Sequence, residues 1–398
     1  MTDYRFAYEP GAVRYGEGAA GDLDDELEAL GAERALVVAG QTVGTTPEVI
    51  DPVREGLGDR LAGVLAETTP DKLVSTALDV VEAMEETGAD ALVGLGGGSS
   101  IDVSKAAAAI ASKDSQGVDR AAVGTEMEET GTIAIEGEAP PVVAVPTTLA
   151  GADLSQVAGI NADPATCPVA EPVDGGVSDP ALMSAAVVGD PELVATTPPG
   201  ILRASAMNGF DKGVETLYTS AATPFTDATA VRGLDVLTDA LPDLGERVTV
   251  ETAAPSLEGL LLVQYGISRP DGGTLGLIHA FGHGLTAYSD IQQGAAHAVV
   301  APHALRYLFG EVEGRRELLA EAFGVGDAGD PAEAVVEAVA DVRDGLGLPA
   351  RLRDTEGPEP DQFEDVARAV VDDPLIVNLP EGLELTVEDM VGVLEDAH

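Results

Sequence analysis

Ala91-Leu-Val-Gly-Leu-Gly-Gly-Gly-Ser-Ser-Ile-Asp-Val-Ser-Lys105 reads in order as a buried strand, a glycine turn and the first turn of a helix. Gly96, Gly97 and Gly98 let backbone N–H groups approach an anion closely, and the partial positive charge of the helix N-terminus favours a phosphate there. A pyrophosphate is the natural guest. Glycine-rich turns from strand to helix also occur as ordinary tight turns, and the spacing is not Gly-x-Gly-x-x-Gly, so the turn alone leaves both readings open.

Outward from this turn, short β-branched runs alternate with helical stretches, the pattern of a parallel sheet covered by helices. Arg34 to Ala39, Ala91 to Leu95 and Pro141 to Val145 are predicted strands. Thr69 to Glu86, with Leu73, Ala77, Val80 and Met84 on one stripe, is a predicted crossover helix. From about Pro191 the strand signals stop, and amphipathic stretches follow at Ala206 to Ala221, Pro224 to Leu241, Ser256 to Ser268 and Pro331 to Leu346. The expected class is therefore α/β: a parallel-sheet nucleotide-binding domain over residues 1–192, then an all-helical domain over 193–398.

The 398 residues carry 70 acidic side chains against 21 basic ones, a formal net charge of -49 that repels nucleic acid and anionic lipid. The acids are spread through apolar-periodic segments such as Asp22 to Leu30, as in a charged shell, and point to a salt-adapted, halophilic protein. No stretch offers the roughly 20 apolar residues of a membrane span, and Met1 to Pro10 has no signal-peptide pattern, so a cytoplasmic location is expected. The single Cys167 excludes an intrachain disulfide. With only four lysines, Lys72, Lys105, Lys113 and Lys212, each one carries more information than usual.

Gly-Gly-Gly-Ser-x-x-Asp-x-x-Lys at Gly96 to Lys105, Pro146-Thr147-Thr148 followed by Leu149-Ala-Gly-Ala-Asp153, Ile278-His-Ala-Phe-Gly-His283 and Ala301-Pro302-His303 occur in an order and spacing that cover most of the chain. Together they resemble the iron-containing (group III) alcohol dehydrogenase family. The resemblance implies a dehydroquinate-synthase-like fold, NAD or NADP as cofactor, a small carbonyl or alcohol substrate, and a homo-oligomer of two or more copies. It assigns Gly97, Gly98, Ser99 and Asp102 to the pyrophosphate and nearby ribose, and Thr147 and Thr148 to the nucleotide cleft. Where NAD-preferring members end the first strand in an aspartate, this chain has Ala39-Gly40-Gln41. Gly40 removes a carboxylate that would repel a 2'-phosphate, so NADP is permitted but not demanded.

The family also implies one divalent metal, iron or zinc. With the register set by Glu215, Pro224 and Asp227, its ligand positions fall on Asn208, Lys212, His279 and Gln293. Neutral amide oxygens and an ammonium without a lone pair make tight zinc or ferrous binding unlike this set, and metal independence is the leading expectation. A register shifted by three residues offers Asp211 and Glu215, four apart on one helix face, with His279 and His283. Both acids read equally well as part of the charged shell.

Lys212 reads either as a surface cation or as a charge standing where a metal ligand is implied, able to polarise a carbonyl. Four of the five histidines crowd between His279 and His303, and His279 and His283 lie one helical turn apart. The resemblance places the second of this pair beside the nicotinamide, which makes His283 the candidate proton relay. Each histidine also reads as a satisfied structural residue, His303 most readily, with His297 between the cases. Ala296-His-Ala-Val-Val300 with Pro302-His303 and Asn208 resembles the maleylacetate reductase branch, which keeps histidines where Lys212 and Gln293 stand. Other classes left open are a nucleotide-binding relative without turnover and a dehydroquinate-synthase-like lyase.

Overall fold

Around the glycine turn, the strand runs from Ala91 to Gly96 and the helix from Gly98 to Ala111. The structure is a computed structural model that describes residues 4–113, 119–270 and 272–398. Internal contacts divide the chain into two compact units: Ala7–Thr148 with Ala152–Thr197, and Met1–Phe6 with Leu149–Gly151 and Pro198–His398.

The first unit is built on a six-stranded sheet. Its strands are β1 (Ala12–Tyr15), β2 (Ala35–Gly40), β3 (Leu61–Thr68), β4 (Ala91–Gly96), β5 (Val142–Pro146) and, beyond the two-stranded ribbon β6 (Val157–Ala162) and β7 (Val173–Ser178), β8 (Ala186–Gly189). The order is β1-β8-β5-β4-β2-β3 and every neighbouring pair is parallel. Parallel strands lie buried on both faces and so need continuous apolar runs, which is why the central strands were the visible ones. Leu36, Val38, Leu92 and Val142 face helices Val74–Thr87 and Gly98–Ala111, while Val37, Val93, Leu95, Val143 and Val145 face Leu23–Leu30 and Pro47–Leu57.

The expected strands are all present, displaced by one residue at their ends. The crossover helix starts later than its periodicity suggested, at Val74, because Lys72 takes a left-handed backbone (φ 51°) that no helix interior tolerates. The antiparallel ribbon had no sequence signal: Val173-Asp-Gly-Gly-Val-Ser178 offers neither alternation nor a hydrophobic face.

Among its described residues the second unit is helical, apart from the short pairing of Ser268–Arg269 with Gly272–Gly273. Four helices carry most of the candidate site residues: α1 is Gly98–Ala111 of the first unit, and α2 (Pro199–Tyr218), α3 (Leu277–Ala287) and α4 (Gln293–Glu311) belong to the second. The expected stretch at Ala206 begins seven residues earlier, at Pro199, because proline fits the first helical position and lacks the N–H that would go unpaired there. The stretch at Ser256 begins at Val250, where Thr249 and Thr252 form a reciprocal cap. Among the described residues, no helix is long and apolar enough to cross a membrane.

Candidate active site

In the first unit, β2, β3, β4 and β5 all end at one edge of the sheet, where Gly40 stands opposite Thr68 and Gly96 opposite Pro146. Gly96 has φ +135°, open to glycine alone in practice, and it turns the chain so that Gly97 can cap α1. A Cβ on Gly97 would lie 3.3 Å from the Thr148 methyl, so a side chain there would fill the space above the helix start. Gly98, Ser99 and Ser100 follow in the first turn, and the Ser100 hydroxyl is 2.8 Å from that of Thr68. Thr147 is tied to the turn through its N–H to Gly96 O (2.9 Å), and its carbonyl accepts from the Thr197 hydroxyl (2.6 Å). Gly40, Gly96, Gly97, Gly98, Ser99, Thr147 and Thr148 are thus gathered along one edge. Asp102 is buried in the same helix turn and pairs with the ammonium of Lys72 at 2.6 Å. Lys105 is fully buried, donating to Ala152 O at 2.7 Å and to Ser155 O, and so anchors the chain entering the ribbon.

In the second unit, Asn208, Asp211, Lys212 and Glu215 stand at i, i+3, i+4 and i+7 along α2 and share one face. Glu215 is fully buried and reaches the start of α3. Its Oε1 accepts N–H bonds from Ile278 (2.7 Å) and His279 (3.2 Å) and the Tyr218 hydroxyl (2.9 Å), and its Oε2 faces His279 Nδ1 at 2.5 Å. Tyr218 in turn accepts from Leu277 N. The first turn of α3 has no capping side chain of its own, so a carboxylate from another helix satisfies its N–H groups. Burial pushes Glu215 up, but His279 and the N–H donors outweigh it and hold the carboxyl below its ordinary range.

Burial drives His279 down to about 4, more than Glu215 can raise it, so the ring is neutral at pH 7. With Nδ1–H given to Glu215, Nε2 carries the lone pair and stands 3.1 Å from Asn208 Oδ1, an arrangement that becomes a hydrogen bond when the amide is flipped to present its NH₂. Beside this pair His297, on α4, packs edge-on to His279 with centroids 4.5 Å apart. It is fully buried, driven by burial to about 3, and its Nδ1 lies 3.4 Å from Asp211 Oδ2. At that separation neither oxygen of Asp211 makes a good hydrogen bond, and burial holds its carboxyl well above the ordinary value. Gln293, which opens α4, lies near Gly282 alongside His297.

Lys212 is also buried, and its ammonium donates to Gly151 O at 2.6 Å. Gly151 has φ +79°, and a Cβ there would come within 3.1 Å of the ammonium nitrogen and 3.0 Å of Gln264, so the close approach depends on glycine. One turn along α3 from the buried His279, His283 is half exposed, with its Nδ1 bonded at 2.8 Å to Asp373, which is 7% exposed. Asp373 and His297 are the parts that the sequence reading missed or left undecided. Asp373 lies 90 residues from its partner with no periodic pattern to announce it.

Residues 10–191 match the family model of iron-containing alcohol dehydrogenase, and residues 203–398 match the C-terminal model of the Fe-containing alcohol dehydrogenase family. The chain belongs to the iron-containing alcohol dehydrogenase family. It is 26% identical over 408 residues to the NAD-dependent methanol dehydrogenase of Bacillus methanolicus, covering 100% of both chains. It is likewise 26% identical over 357 residues to maleylacetate reductase 1 of Cupriavidus pinatubonensis, covering 88% of this chain and 86% of that one. An alcohol dehydrogenase from Oenococcus oeni has the same fold, with a TM-score of 0.85 at 22% identity over 100% of each chain.

The family implies both a nucleotide and a metal, and the two fare differently against these residues. The space above Gly97, bounded by Thr148 and the start of α1, fits a phosphate. The metal positions do not fit. A divalent ion needs three or four lone-pair donors at about 2.0–2.3 Å. Lys212 is an ammonium already bonded to a carbonyl, His279 Nε2 is faced by Asn208 Oδ1 at 3.1 Å, and Glu215 has both oxygens engaged. Among the described residues, no group of three or more His, Cys, Asp or Glu side chains could hold an ion.

Proposed function

We propose that this protein is an NAD(P)-dependent alcohol dehydrogenase or carbonyl reductase that works on a small carbonyl or alcohol substrate without a divalent metal. The reading rests on Lys212, a buried ammonium set on the same helix face as Asn208 and Glu215, where its family relationship would place a metal ligand. The bound nicotinamide supplies or accepts the hydride.

The chain's own residues do the rest. The N–H groups of Gly97, Gly98 and Ser99 bind the pyrophosphate, with Gly96, Thr147 and Thr148 shaping the turn around it and Asp102 directed to the ribose. Gly40 leaves room for either NAD or NADP. Lys212 donates to the substrate oxygen and stabilises the negative charge that develops there. His279 stays neutral in its Nδ1–H form and, through Asn208, fixes the wall beside Lys212. His283 delivers the proton to the alkoxide in reduction and removes it from the alcohol in oxidation. The charge of -49 fits work in a salt-rich cytoplasm.

The test is NAD(P)H oxidation with a panel of aldehydes and keto acids in concentrated salt, before and after prolonged chelation. Turnover should survive chelation, and Lys212→Met should lose about 10²- to 10³-fold, the usual effect of removing one preorganised donor. Full turnover in Lys212→Met refutes the electrophile. Activity lost on chelation and restored by zinc or ferrous iron refutes the metal-free reading. Nucleotide binding with no oxidation of any substrate favours a relative that has lost turnover.

A further inference from the structure

The turn after helix Phe363–Val371 is fastened at both ends. At its far end, Asn378 O accepts from Ser220 N (2.9 Å) and the Thr219 hydroxyl (2.6 Å), and the Asn378 amide donates to Leu275 O (2.8 Å), just before α3. At its near end, Asp373 caps the short helix Pro374–Asn378 by accepting from Leu375 N at 2.8 Å through Oδ1, which leaves Oδ2 for His283 Nδ1 at 2.8 Å. The carboxylate therefore has no freedom to swing away. It is buried, whereas the ring it holds is 51% exposed. Nδ1 is the only ring nitrogen of His283 with a hydrogen-bond partner among the described residues, so Nε2 is the nitrogen left for proton exchange.

We propose that Asp373 is a positioning residue that fixes His283 as the Nδ1–H tautomer and points its Nε2 lone pair outward as the proton-transfer atom. The proposal rests on His283 being the relay. A carboxylate accepts but cannot donate, so a neutral ring beside it must carry its proton on Nδ1. In an Asp373→Asn protein the amide still caps Leu375 through its oxygen but turns N–H toward Nδ1. The ring then has to accept there and move its proton to Nε2, which leaves the outward nitrogen with no lone pair.

Nitrogen-15 chemical shifts of histidine-labelled protein read the tautomer directly and need no turnover. We expect Nδ1–H for His283 in the native chain and Nε2–H in Asp373→Asn. An Nε2–H ring in the native chain overturns the proposal, even if the variant fails to fold. In turnover, His283→Gln and Asp373→Asn should each lose about 10²-fold, the lower end of the range for general acid–base catalysis, with nucleotide affinity unchanged and partial recovery in Asp373→Glu. Loss in His283→Gln with full activity in Asp373→Asn overturns the positioning role alone. Full activity in His283→Gln overturns the relay, and the proposal with it.

Discussion

Gly40 closes β2 opposite Thr68, and a Cβ added there would meet only the Thr68 carbonyl oxygen at 3.4 Å and its hydroxyl at 3.6 Å. A Cβ is therefore accommodated at ordinary contact distance, and Gly40 is in an extended conformation (φ −74°) open to any L residue. Gly40→Asp should shift the ratio of kcat/KM values toward NAD, because a carboxylate accepts from ribose hydroxyls and repels a 2'-phosphate. An unchanged ratio would place the adenosine elsewhere. At this scale the sequence was most readable where backbone geometry restricts residue type: the three glycines, the two threonines and the helix start stand together. It was least readable where a side chain's meaning lies in its partner. No spacing announces the Lys72 ammonium against Asp102, or the start of α3 wrapped around the Glu215 carboxylate.

Helices α2, α3 and α4 bury Asp211, Glu215, His279 and His297 beside Lys212, and the protonation of these acids and histidines should be visible in stability. Below the ordinary value of 6.5, the unfolded chain protonates His279 and His297, whereas the folded protein keeps them neutral down to about 4 and about 3. Acid therefore favours unfolding. Asp211 works in the opposite direction, because burial holds its carboxyl well above the ordinary 3.8 in the fold. Between pH 4 and 6 the two histidines therefore make stability fall with acid, and the raised Asp211 offsets part of that fall. Glu215, held low, adds to the loss only near its ordinary 4.5. Asp211→Asn should remove the opposing contribution and steepen the fall of denaturant stability with acid, relative to the native chain. Equal slopes would mean that Asp211 is ionised in the fold. The periodicity that located these helices could not show this cluster, because burial of a charged side chain is set by neighbours 60 to 90 residues away. The ribbon β6–β7 was hidden for the opposite reason, having too little apolar pattern to register.

For the whole molecule, 70 acids against 21 bases make self-repulsion a term that acts over every surface at once. Pairs such as Arg315–Asp227 and Arg306–Glu333 offset little of it. The thermal unfolding midpoint should rise as potassium chloride increases into the molar range, where the screening length shortens to about 3 Å. A midpoint that falls with salt would mean that attractive pairs dominate. The division of the chain has a further consequence. Leu149–Gly151 belongs with the helices although Thr148 and Ala152 on either side do not, and it brings Gly151 O to Lys212 and Leu149 N to the Ser205 hydroxyl. A polypeptide begun at Pro198 would lack the acceptor that holds its own lysine. The two halves are thus not interchangeable modules. A chimaera joined at residue 197 would take this three-residue insert from one parent and the lysine from the other, and the two would have to be inherited as a pair.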